Sequence, residues 1–157
     1  MSQQDRIIQK NGEVIGHGAQ TRLKRLGQVY GIDFTFLGMV GNSRLSHRLI
    51  KFAESRGEGI QRRIVDLIFE RHFEDTGDIT SIDFLVDIGR DAGLDEEELM
   101  QYLDSEDGVK ELNDAAINAR KEGIAHVPTI EINGARIEGA DEPGEFYTAL
   151  VGIRERS

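Results

Sequence analysis

The chain has 157 residues, no cysteine and a formal net charge of -10. The missing thiols exclude disulfides, CxxC redox chemistry, thiolate nucleophiles and cysteine-ligated metal centres. The excess of 29 Asp+Glu over 19 Lys+Arg, with no basic run beyond Arg22-Leu23-Lys24-Arg25, argues against nucleic acid as the main partner.

No apolar run reaches the roughly eighteen residues a membrane span needs, so no membrane partner is expected. Met1 to Gln9 carries no charged-then-apolar leader. These features predict a soluble cytoplasmic protein, and the length fits one domain or one domain with an inserted subdomain.

In chain order, Asp5 to Gly12 reads as a short helix around Ile7 and Ile8. Val14 to Tyr30 follows as a second, with Leu23, Leu26, Val29 and Tyr30 as its apolar stripe and Gly31 as its stop. Ile32 to Phe36 alternates apolar and polar, which fits a short strand or an extended connection.

Asn42 or Ser43 can cap a helix to about Arg56, with Leu45, Leu49, Phe52 and Ala53 on its core face. Ile60 to Glu74 carries a wide apolar face: Ile60, Ile64, Leu67 and Ile68, flanked by Val65, Phe69 and Phe73. Thr80-Ser81-Ile82-Asp83 reads as a capping box, with Ile79 and Phe84 as its staple. Asp95-Glu96-Glu97-Glu98 marks another start between Leu94 and Leu99, after the stop at Gly93. That acidic run is a helix start, not a metal site.

A helix from Glu106 to Glu122 carries Val109, Leu112, Ala116 and Ala119 and ends at Gly123. The period then changes to two. Thr129–Ile132 and Ala135–Glu138, joined by Asn133-Gly134, form a hairpin. The turn sets Ile132 opposite Ala135 and Ile130 opposite Ile137, with Glu131 opposite Arg136 on the other face. Asp141 can cap a last helix, Glu142 to Arg154, buried through Phe146, Ala149, Leu150 and Ile153. His17, His47, His72 and His126 show no HxxxH or HExxH spacing, so no metal site is expected.

The order helix, Gly123-Ile124-Ala125-His126-Val127-Pro128-Thr129, hairpin, helix resembles the second half of a thioredoxin fold. Gly31-Ile32-Asp33-Phe34 and Gly41-Asn42-Ser43-Arg44-Leu45-Ser46-His47-Arg48-Leu49 resemble the helical insertion of DsbA-like proteins. Within them the FrnE-type subgroup is the most similar, alongside the related kappa-class glutathione transferases and hydroxychromene carboxylate isomerases. Phe73-Glu74, Gly77-Asp78-Ile79 and Ala92-Gly93-Leu94-Asp95 carry the resemblance along most of the chain.

It implies an α/β thioredoxin-like fold, mostly helical. A helical cap over residues 1–105 precedes the C-terminal half of the thioredoxin fold over 106–157. The family's opening strand–CxxC–helix–strand has no counterpart, so the first two strands are expected to be missing and the chain reads as truncated.

The resemblance implies an oxidoreductase, or a glutathione-dependent transferase or isomerase. Without cysteine, thiol–disulfide activity is not expected and no catalytic residue is assigned. What remains is a non-catalytic module for a small thiol, an extended peptide or a glutathione-like ligand, or an inactive fragment. By resemblance Val127-Pro128 would be a cis, ligand-pairing loop, where the residues alone also fit an ordinary trans turn, and Gly139 with Asp141 could hold a γ-glutamyl amine, where Asp141 alone also fits a plain helix cap. His126 lies on that loop, and Asn42, Ser43 and His47 begin the helix that overhangs it. An open strand edge would also allow a homo-oligomer.

Overall fold

The computed structural model describes residues 1–132, 134–139 and 143–151. Among them are eight helices and one two-stranded sheet. The chain divides into two compact units, Met1–Leu112 and Asn113–Ser157.

The first unit opens with α1 (Gln3–Asn11) and α2 (Glu13–Val29). Ser2 caps α1 in a reciprocal box, its hydroxyl accepting from the Asp5 amide while the Asp5 carboxylate accepts from the Ser2 amide. Gly16 lies against Ile8, and a Cβ there would meet the Ile8 Cα at 2.9 Å. The two helices therefore need glycine at their crossing.

The apolar stripe expected of α2 is not its buried face. Gly16, Gln20 and Gly27 are buried, while Leu26, Val29 and Tyr30 are 52%, 76% and 75% exposed and Leu23 is 40% exposed. Periodicity located an apolar stripe, but no element of this unit covers it.

Residues 31–43 form an extended connection rather than a strand. Thr35 and Gln4 tie it down: the Thr35 amide donates to the Phe73 carbonyl at 3.0 Å, and the Gln4 amide to the Phe36 carbonyl at 3.0 Å. Phe36 is buried in a left-handed conformation, φ 57°, and its ring stacks on Phe34.

The core lies among α3 (Arg44–Glu54), α4 (Glu58–Phe73), α5 (Ile82–Asp91) and α6 (Glu96–Asp104). Leu49, Ala53, Ile64, Leu67, Ile68, Leu85, Ile88, Leu99 and Leu103 fill it. Each residue sits at the helical spacing its sequence displays, so apolar burial drives the assembly.

The start of α5 differs by one residue from the expected box. Ser81, not Thr80, is the cap, accepting from the Phe84 amide at 3.3 Å. Thr80 instead donates through its hydroxyl and its amide to Asp78. Asp95 caps α6 as expected, accepting from the Glu98 amide at 2.8 Å.

The helix expected from Glu106 begins later, as α7 (Val109–Lys121). No residue of α7 is fully buried, and Ala116 is exposed. In the second unit β1 (Thr129–Ile132) and β2 (Ala135–Glu138) pair antiparallel. The register is the expected one, Ile132 with Ala135, Glu131 with Arg136 and Ile130 with Ile137. Gly134 adopts φ 82°, the left-handed backbone that a two-residue turn requires.

α8 (Pro143–Val151) follows, with Phe146 and Ala149 half-buried and Leu150 exposed against expectation. The expected cap Asp141 and the apolar Ile153 lie outside the described residues. No counterpart of the first two thioredoxin strands occurs among the described residues.

Candidate functional site

The candidate residues fall into the two units. In the second unit, Gly123 ends α7 with φ 78°, and the loop to β1 contains His126, Val127 and Pro128. The Val127-Pro128 peptide is cis. Val127 is 90% exposed, and His126 is exposed as well. The Thr129 hydroxyl donates to the His126 carbonyl, which fixes the loop where it enters the strand.

The ladder also determines which backbone groups face outward. The Gly139 amide donates to the Pro128 carbonyl at 2.7 Å. Residues 128 and 139 are thus a hydrogen-bonded pair, and in an antiparallel ladder such pairs alternate. Ile130 with Ile137 and Ile132 with Ala135 are then the bonded pairs. Thr129 and Glu131 turn their N–H and C=O groups toward the edge away from β2. Within the sheet β1 has β2 as its single neighbour among the described residues.

Side chains define the two faces beside that edge. Ile137 is buried and Ile130 is 37% exposed on one face. Glu131 and Arg136 form a 3.6 Å ion pair on the other, and Arg136 Nη1 donates to the Glu122 carbonyl at 2.9 Å. Arg136 thereby fastens the hairpin to the end of α7. Of the expected ligand residues, the structure brings Gly139 to Pro128; Asp141 lies outside the described residues.

In the first unit, Asn42 and Ser43 precede α3 as expected. The Asn42 Oδ1 accepts from the Arg44 amide at 3.0 Å, whereas the Ser43 side chain makes no cap bond. The Ser43 carbonyl accepts from the His47 amide and the Ser46 hydroxyl. Asn42, Ser43 and His47 are all exposed. His72 is buried instead, its Nε2 3.0 Å from the Gln3 Nε2 and its Nδ1 2.8 Å from the Gly77 carbonyl. The carbonyl can only accept, so Nδ1 carries the proton and Nε2 accepts from the Gln3 amide.

Two features escaped the sequence reading. One is buried Arg48, which donates to the carbonyls of Tyr102, Leu103, Ser105 and Asp107. The other is a groove of about 510 Å³ beside α4. Ile32, Phe34, Phe69 and Phe73 line it together with the carboxylates Asp66, Glu70 and Glu74. Phe69 and Phe73 at i, i+4 and Asp66 and Glu70 at i, i+4 were the available signal.

Among the described residues no His/Asp/Glu group could hold a metal ion, and no helix is long and apolar enough to cross a membrane. No curated protein matches the chain. The profile of the DsbA-like thioredoxin domain matches residues 9–151, from within α1 to the end of α8. The chain therefore belongs to the DsbA-like thioredoxin domain family.

Proposed function

We propose that this chain is a non-catalytic binding module that takes an extended peptide along the outer edge of β1. The observation that carries this reading is the outward backbone of Thr129 and Glu131 beside exposed Val127. An unpaired strand edge recognises a peptide through main-chain hydrogen bonds, and neighbouring side chains select among sequences.

Membership in the family suggests an oxidoreductase. The exchange reaction, however, begins with a thiolate attacking a disulfide sulfur, and this chain has no thiol. Binding is the part of such a site that survives without cysteine. The Asn42-to-Leu49 motif and the Gly123-to-Pro128 loop favour the FrnE-type branch of the family.

A fluorescent, reduced and carboxymethylated insulin B chain is a suitable extended probe. Its anisotropy should rise with the chain. Thr129→Pro removes one outward N–H without touching the β1–β2 bonds, and should weaken binding about tenfold, the value of roughly one lost hydrogen bond. Insulin reduction should stay at background. Unchanged binding by a folded Thr129→Pro variant contradicts the edge, and measurable reduction contradicts the non-catalytic reading.

A further inference from the structure

The outer face of α2 and the groove beside α4 are chemical complements within one unit. On α2, Ile15, Ala19, Arg22, Leu26 and Val29 follow one another at helical spacing, with Arg25 on the border. Ile15, Leu26 and Val29 are 67%, 52% and 76% exposed. The face is thus apolar with two cations.

The groove has the opposite pattern. Phe69, 58% exposed, and Phe73 meet at 6.0 Å between ring centroids, and Phe34 sits edge-on to Phe73 at 6.0 Å. Of the lining carboxylates, Glu74 accepts from the Asp33 amide at 2.8 Å. Asp66 and Glu70 make no ion pair among the described residues, and neither do Arg22 and Arg25.

Gly31 and Ile32 line the groove and follow α2 after Tyr30 alone, so donor face and acceptor groove are neighbours along the chain. A helix laid into a groove is read through anchors at i, i+3, i+4 and i+7, which this face supplies. That nearness also lets a two-fold axis satisfy both contacts at once, each copy offering its helix and receiving the other's.

We propose that the groove holds α2 of a second copy of this chain, with Leu26 and Val29 on the phenylalanines and Arg22 and Arg25 over Asp66 and Glu70. The overall acidity of the chain opposes random self-association, so this matched patch is where two copies can meet. The proposal is independent of the β1 edge, which belongs to the other unit.

The test is sedimentation of the full chain over a concentration series, with two charge-reversal variants. The wild type should form dimers. Arg22→Glu with Arg25→Glu, and separately Asp66→Lys with Glu70→Lys, should each weaken dimerisation at least about tenfold, as like charges then face each other. Mixed together, the two variants restore opposite charges at both contacts and should form a heterodimer. Melting followed by circular dichroism confirms that each variant is folded.

A monomeric wild type overturns the proposal. So does a dimer that survives both reversals, a mixture of folded variants that stays monomeric, or a dimer abolished only by Thr129→Pro in β1.

Discussion

Arg48, on α3, closes the C-terminal end of α6 through Leu103, whose carbonyl accepts from the Arg48 Nη1 at 3.0 Å. The last carbonyls of a helix have no partner inside it, and here one buried guanidinium serves four carbonyls at and beyond that end. The same group lies 5.1 Å from the centre of the Tyr102 ring. Burial pushes the Tyr102 hydroxyl up, against the lowering effect of the Arg48 charge.

Arg48→Met should therefore destabilise by about 2–4 kcal/mol, because the methionine fills space but leaves buried carbonyls unmatched. Urea unfolding at constant m-value checks this. Arg48→Lys should recover only part of the loss, since an ammonium cannot reach four carbonyls as a planar fork does.

Gly89 is where α5 meets α6. A Cβ at that position would lie 2.1 Å from the Leu99 Cδ2. Gly89→Ala gains helix propensity worth about 1 kcal/mol but forces Leu99, which is fully buried, out of its place. The net expectation is a loss of about 1–3 kcal/mol, read as a lower urea midpoint.

Gln3 and His72 fix a tautomer. The ring should appear in nitrogen NMR spectra as the Nδ1–H form when neutral. Gln3→Leu removes the donor to the buried Nε2 and should cost about 1–3 kcal/mol.

Three exposed carboxylates held below their ordinary value of 3.8 should each contribute a small part of the acid sensitivity of the fold. Hydrogen bonds from Ser2 lower Asp5, those from Thr80 lower Asp78, and the Arg71 hydrogen bond lowers Asp91. A depressed folded value means that their contribution is present above 3.8 and disappears as pH falls through the folded values. The urea midpoint should decline below pH 3.8, and Asp78→Asn should shrink that decline.

The hairpin was fully legible in the sequence, because Asn133-Gly134 fixes the turn and the turn fixes Ile130 opposite Ile137. The core face of α3 was legible for a similar reason: Leu49 and Ala53 repeat at the helix period. Periodicity cannot say what covers a face, so the exposed stripe of α2 was not foreseen. Arg48 was equally hidden, since its acceptors lie 54 to 59 residues further along the chain. For the candidate site, Val127 and Pro128 were visible as neighbours in sequence. The outward turn of Thr129 and Glu131 follows from the same two-residue turn, whose closing pair Ile132–Ala135 is a bonded one, and the Gly139–Pro128 bond agrees with it.

Amide exchange, residue by residue, with and without the carboxymethylated insulin B chain, bears most directly on the binding role. A peptide laid along β1 protects the outward amides of Thr129 and Glu131 and leaves those of Ile130 and Ile132, already bonded to β2, unchanged. Saturating peptide that leaves Thr129 and Glu131 exchanging at their free rates would contradict the account.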